Sequence, residues 1–246
     1  MSNSNKYTLK HLNSIQSNGI IWKMVFDDEQ NQVAWECRTT QKELFIYLLD
    51  FKTNKLLLNN YLITDGWSFS LDKIKANYLY FSNYDQEFSP VKKGIIALNS
   101  INKQIIWQNF SVAVEQYTNQ GVLVYDVRIF PRKYFLLDFK TGEKIKSEHF
   151  SNNSIQNKIF IPDNLFNEDI LQESDLLNFN SLEFKSYYKQ EENILNQNLT
   201  ISNNKGIIFE DVLNKAIQKK LVQPFVIWQS KLLYIKNKSE FVSYLV

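Results

Sequence analysis

The sequence predicts an all-β fold built from repeated antiparallel hairpins, and three observations predict it. Apolar runs are short and rich in Ile, Val, Phe, Tyr and Leu. Turn residues interrupt them at intervals typical of meandering sheets rather than of alternating strands and long helices. One local pattern then occurs four times: an apolar run, an Asp, Asn or Ser, a short turn, and a second apolar run.

The elements follow in order. Residues 20–26 and 33–39 read as strands joined by the turn Asp27-Asp28-Glu29, and the first hairpin, FIYLLDFKTNKLLL, opens on Asp50 and closes on Asn54. Strands at 67–71 and 78–84 precede the second hairpin, GIIALNSINKQIIW, which opens on Asn99. Strands at 110–115 and 122–128 precede the third, KYFLLDFKTGEKIK, built on Asp138 and Gly142. The fourth, NLTISNNKGIIF, uses Ser202 and Gly206. The chemistry is common to all four. A short polar side chain accepts hydrogen bonds from backbone N–H groups just ahead of it, and a Gly or Asn further on tolerates positive φ, so the chain reverses.

The opening residues stand at 50, 99, 138 and 202, hence 49, 39 and 64 apart. A four-stranded propeller blade takes ~40–45 residues. The first two intervals fit a blade, and the third fits a blade with an insertion at 150–178. After the fourth hairpin, strands at 225–228, 231–235 and 240–246 make a last unit, which a strand at 7–12 completes. The expectation is one propeller-like domain over 1–246 with about five blades, its edges covered by pairing the two ends of the chain. Within the insertion, Leu165, Phe166, Ile170, Leu171 and Leu177 stand near helical spacing after Pro162, with Asp163 or Asn164 as N-cap. A short helix is expected near 163–178. Residues 211–221 fit strand and helix equally.

Composition bounds the function. The 246 residues are 44% hydrophobic and 22% charged, with 28 basic against 26 acidic side chains and a formal net charge of +2. So balanced a chain lacks the one-sign field that holds a polynucleotide, and nucleic acid is excluded as a partner. The apolar runs are too short to span a bilayer and the first fifteen residues lack a secretory apolar stretch, which points to a cytoplasmic protein without a membrane span. One cysteine, Cys37, permits no internal disulfide and reads as a buried, inert thiol; two isolated histidines, His11 and His149, make no zinc site. The segment 163–192 carries eight acids against two lysines and 205–240 seven lysines against three acids, which read as solvated faces. No cofactor or metal is expected.

At GIIALNSINKQIIW the repeat resembles the blade of pyrroloquinoline-quinone-type propellers, with Ala97, Leu98, Asn99 and Trp107 in the matching places. LLDFKTGEKI at 136–145 matches its Asp and Thr-Gly turn. The resemblance implies propeller hairpins; the funnel acids and calcium ligands of the quinone dehydrogenases are absent, so their chemistry is not carried over. The layout is also similar to an uncharacterised bacterial family, a domain of unknown function, through ILNQNLTISNNKGIIFEDVL and FVIWQSKLLYIKNKSEFVSYLV. That likeness implies a fold and no activity.

No P-loop, GxGxxG, HExxH, CxxC, EF-hand or GxSxG pattern occurs. The candidate ligand-binding residues come from superposing the hairpins. Glu36 and Arg38, Tyr84, Asp126 and Arg128, and Tyr188 stand at the ends of the strands ahead of the four turns, and Trp67 follows an Asp-Gly turn between sheets. Each acid lies two residues from its arginine, on one face of a strand. Two arginines with tyrosine faces suit a carboxylate or phosphate; ion pairs that lock neighbouring sheets are the alternative. Trp22, Trp35, Trp107 and Trp228, inside apolar strands, are expected in the core. The functional expectation is a non-catalytic binding module for an unknown protein or small molecule. The enzymatic alternative is a glycoside hydrolase using Glu36 and Asp126 as its carboxyl pair, although an adjacent arginine lowers a carboxyl pKa when a general acid needs it raised.

Overall fold

The computed structural model describes residues 9–84, 92–146, 155–167, 172–191, 194–217 and 223–246. Its strands in chain order are β1 (Lys10–Gln16), β2 (Ile20–Asp27), β3 (Gln32–Arg38), β4 (Leu44–Asp50), β5 (Lys55–Ile63), β6 (Phe69–Lys75) and β7 (Tyr78–Tyr84). Then come β8 (Lys92–Asn99), β9 (Gln104–Asn109), β10 (Val112–Tyr117), β11 (Val122–Asp126), β12 (Tyr134–Leu137), β13 (Ile159–Phe160) and β14 (Asp163–Asn167). The last are β15 (Gln172–Phe179), β16 (Leu182–Glu191), β17 (Ile194–Asn203), β18 (Gly206–Asn214), β19 (Phe225–Trp228), β20 (Lys231–Lys236) and β21 (Glu240–Leu245). The fold is all-β, and the described residues form five antiparallel sheets.

The chain divides into two compact units, one of Asn18–Asn157 and one of Met1–Ser17 with Lys158–Val246. The first holds the meanders β2-β3-β4-β5, β6-β7-β8-β9 and β10-β11-β12. Its cores are local: Leu44, Ile46, Leu48 and Leu58 pack with Leu71, Ile74, Leu79 and Phe81, while Tyr80, Ile95, Ala97, Val112, Val122 and Val124 form a second cluster. The second unit holds β14-β15-β16-β17-β18 and β1-β21-β20-β19-β13, cored by Phe184, Leu199, Ile201, Phe225, Ile227, Leu232 and Tyr234. In it the N-terminal strand pairs antiparallel with β21, as the chain-end pattern predicts.

The hairpin turns are made by the side chains read from the sequence. Asp50 Oδ1 accepts from Lys52 N at 2.8 Å, its Oδ2 from Thr53 Oγ1 at 3.0 Å, and Asn54 has φ 52°. Asn99 Oδ1 accepts from Ile101 N at 2.9 Å. Asp138 Oδ1 accepts from Lys140 N and Thr141 N at 2.8 and 2.9 Å, and Gly142 follows at φ 70°. A Cβ on Gly142 would lie 2.5 Å from the Trp107 ring, so the position is closed to larger residues by space as well as by φ. The fourth turn differs by one residue. Asn203, not Ser202, accepts the turn bond, from Lys205 N at 2.8 Å, while Ser202 sits in the ladder opposite Glu183 and Ile207.

Further expectations are corrected. Among the described residues of 163–178 there is no helix: Asp163 pairs with Leu176 and Leu165 with Ser174 in β14 and β15, and Asn164 Nδ2 donates across the pair to Asp175 Oδ1 at 3.1 Å. The apolar spacing there fits either period, and Asn164, Asn167, Ser174 and Asp175 are poor helix formers. An isolated helix of that length gains little in water, whereas β16 offers backbone partners to β15 from Ser174 to Phe179. Trp22 is not core but 69% exposed, because the β2–β3 register shifts between Ile21 and Lys23 and leaves it unpaired in a bulge. Trp35 and Trp228 are fully buried, whereas Trp107, also expected in the core, is half-buried at its edge with Nε1 donating to the Phe139 carbonyl at 2.9 Å. The ambiguous segment at 211–221 is strand through Asn214, and its residues 218–221 lie outside the described residues, as does His149.

Candidate functional site

Three constellations in the 18–157 unit carry polar chemistry. The first joins β3 to the start of β6. Glu36 is 0% exposed, with Oε1 accepting from Arg38 Nε and Nη2 at 3.3 Å each and Oε2 accepting from Leu71 N at 2.7 Å. Arg38 also donates to the carbonyls of Trp67 and Phe69, at 2.8 and 2.6 Å, and its guanidinium lies 5.0 Å from the Trp67 ring centroid. Burial raises the Glu36 pKa above its ordinary value, against the lowering pull of the Leu71 N–H and of Arg38. The structure thus brings Glu36, Arg38 and Trp67 together in one clamp. Alternation puts Glu36 and Arg38 on one face; the Gly66–Ser68 turn and the first residue of β6 present the Trp67 and Phe69 carbonyls to Arg38, and Leu71 presents its N–H to Glu36.

The second constellation is the β11–β12 connection. Arg128 embraces Asp126 with two parallel bonds, Nε to Oδ1 at 2.9 Å and Nη2 to Oδ2 at 2.7 Å, and adds its backbone N–H at 2.9 Å. These bonds pull the Asp126 pKa down to about 2. Beyond them, residues 128–134 are all exposed, with Phe130 94% exposed at the tip. Arg132 lies 4.3 Å over the Tyr125 ring, which meets Tyr134 edge to face at 5.7 Å. The loop residues 127–133, VRIFPRK, include three cations and no acid. Aromatic rings and arginines on a braced loop are the residue types that anchor protein interfaces.

Tyr84 ends β7, and Tyr188 is buried on β16 of the other unit, where Gln197 Nε2 donates to its hydroxyl at 3.3 Å. Cys37 is buried, and His11 meets Tyr244 edge to face at 5.1 Å.

The third constellation, which the sequence does not reveal, is a cleft of about 270 Å³ lined by Asp27, Asp28, Glu29, Lys73, Lys75 and Asn157, among others. Lys73 is only 8% exposed, yet Asn157 Oδ1 is its sole hydrogen-bond acceptor among the described residues, at 3.4 Å. Burial lowers the Lys73 pKa, while the charges of Asp27, Asp28 and Glu29 act to raise it. Asp27 is committed to the backbone: Oδ1 accepts from Glu29 N and Gln30 N at 3.0 and 3.1 Å, and Oδ2 from Ala76 N at 2.7 Å. Glu29 pairs with Lys75 at 3.5 Å. Among the described residues, no group of three or more His, Cys, Asp or Glu could hold a metal ion, and no helix is long and apolar enough to cross a membrane.

Comparison with known proteins finds one family model that matches part of the chain, and remote structural likenesses. Residues 26–107 match the model of a family described as a domain of unknown function, DUF4905. No curated protein matches the chain. Among solved structures, the chain is similar to Chaetomium thermophilum Raptor at 10% identity and TM-score 0.31, over 96% of this chain and 29% of that one. It is also similar to a chain of the Mitotic Checkpoint Complex at 9% identity and TM-score 0.36, over 100% of this chain and 94% of that one. This chain therefore spans less than a third of the Raptor chain.

Proposed function

We propose that the chain is a non-catalytic, propeller-like interaction module, its sheets serving as blades and its β11–β12 loop docking a protein partner. The observation that carries the reading is Phe130, a large apolar side chain 94% exposed among Ile129, Arg128, Arg132 and Tyr134. An exposed apolar anchor on a loop that also carries Arg132 and Lys133 fits a partner that offers an apolar pocket with an acidic rim. The blade reading is supported by the repeated Asp- and Asn-opened hairpins and by the resemblance at Ala97, Leu98, Asn99 and Trp107 to quinone-type repeats. A lone buried Cys37 accords with a cytoplasmic setting.

Glycoside hydrolysis has less support. It asks for one carboxyl held protonated beside a bond that water and sugar can reach. Asp126 is held ionised by Arg128, and Glu36, although raised, is enclosed by Arg38 and the Leu71 amide.

The test is capture from source cells with wild type and with the double variant Phe130→Ser/Arg132→Glu, followed by direct titration of the recovered partner. The reading expects one partner whose affinity falls by about tenfold or more in the double variant, at unchanged thermal stability. Equal affinity of the two proteins overturns it.

A further inference from the structure

The cleft around Lys73 is built from segments far apart in sequence, with two walls that are each held in place. Asn157 is fixed by its Nδ2, which donates to the Phe26 carbonyl at 3.0 Å, and Ile155 N donates to the Tyr117 carbonyl at 3.0 Å, so the segment 155–157 is tied at both ends. The opposite wall is the turn after β2, held by the three backbone bonds to Asp27. Between them stands an ammonium that has three donors and spends one, on a long bond to a neutral amide. Burying a cation on such terms costs free energy unless a counter-charge joins it.

The charge of the lining narrows what that counter-charge belongs to. Lys73 and Lys75 face the carboxylates of Asp27, Asp28 and Glu29, so the lining carries one more negative than positive charge. A polyanion such as a nucleotide meets repulsion from three carboxylates, and a plain amine leaves Lys73 as it is. A molecule with one carboxylate and one ammonium matches both signs of the lining, its carboxylate adding a counter-charge to Lys73 while its ammonium balances the one excess negative charge. The volume, about 270 Å³, is at the small end for ligand clefts and suits a molecule of that size.

We propose that this cleft binds a small zwitterion of the α-amino-acid class, its carboxylate on Lys73 Nζ and its ammonium toward Asp28 and Glu29. The site is separate from the β11–β12 loop, and neither reading depends on the other.

The experiment is calorimetric titration of the full chain with L-alanine, L-glutamine and L-phenylalanine, then with the N-acetyl and carboxamide derivatives of the best binder and with inorganic phosphate. The expected result is saturable binding of at least one free amino acid, weakened by about tenfold or more when either charge is blocked and by Lys73→Met. Phosphate should not bind. Glu29 is 70% exposed and its pair with Lys75 is a surface one, so Glu29→Gln is an independent test with little effect on folding. It should weaken the free amino acid and spare the N-acetyl derivative. Failure of all three amino acids to bind, equal binding by the Lys73→Met protein, indifference to Glu29→Gln, or tighter binding of phosphate overturns the proposal.

Discussion

Replacing Arg38 by Met removes four hydrogen bonds at once and leaves a carboxylate with no solvent and one backbone donor. Arg38 supplies both side-chain donors to Glu36 Oε1, while the carbonyls of Trp67 and Phe69 lose their donors at 2.8 and 2.6 Å. Breaking one side of such a buried pair costs about 3–5 kcal/mol. For a chain of this size that lowers the melting temperature by roughly 6–20 °C. The cost must depend on pH, with a definite sign. Burial already holds the Glu36 pKa above its unfolded value, so its contribution to stability is fully present below the unfolded pKa and is lost as pH rises through the folded one. Removing Arg38 deletes two of the causes that lower that pKa and drives it further up. The variant should therefore be most damaged at neutral pH and recover relative to wild type in acid, down to about 1–3 kcal/mol for the orphaned carbonyls. Chemical denaturation followed by circular dichroism between pH 4 and 8, with hydrogen exchange at the Leu71 amide, measures this. The double variant Glu36→Gln/Arg38→Met carries no buried charge and should be more stable than Arg38→Met alone at pH 7. A loss independent of pH, or a double variant no better than the single one, refutes the reasoning.

Three further outcomes follow from the same geometry. Nuclear magnetic resonance titration should find the Asp126 carboxyl near pH 2 and, in Arg128→Met, back toward its ordinary value of 3.8. Because the folded pKa is depressed, its stabilising contribution is present above the unfolded pKa and fades as pH falls toward 2. Gly142→Ala should destabilise by about 1–3 kcal/mol, since φ is 70° and the new methyl meets the Trp107 ring; a shifted Trp emission in the native state would accompany it. Phe130→Ser should change stability by no more than about 0.5 kcal/mol, because the side chain is almost wholly in water.

What could be read from the sequence was local. Asp50, Asn99 and Asp138 cap the chain two and three residues ahead of themselves, so the four-residue pattern that announces each turn also contains its hydrogen bonds. The pairing of Glu36 with Arg38 and of Asp126 with Arg128 was legible for the same reason, since two residues on a strand share a face. Decisions taken by distant residues were not. Whether 163–178 became helix or strand was settled by pairing of β15 with β16, and the Asn180-Ser181 turn that makes it possible, with φ of 50° and 63°, lay outside the periodic run. The exposure of Trp22 depends on a one-residue bulge against β3, which apolar patterning does not encode. The Lys73 cleft needs Asn157, which is 84 positions away, so nothing near Lys73 in sequence marks it.

The docking account is tested most directly by a photoreactive benzoylphenylalanine at position 130, irradiated in source cells, with the same group at Ile207 as a control that is also exposed and apolar. The account predicts one discrete covalent adduct from position 130, abolished by Arg132→Glu, and none of the same mass from position 207. Adducts that are diffuse, insensitive to Arg132, or identical from the two positions would contradict it.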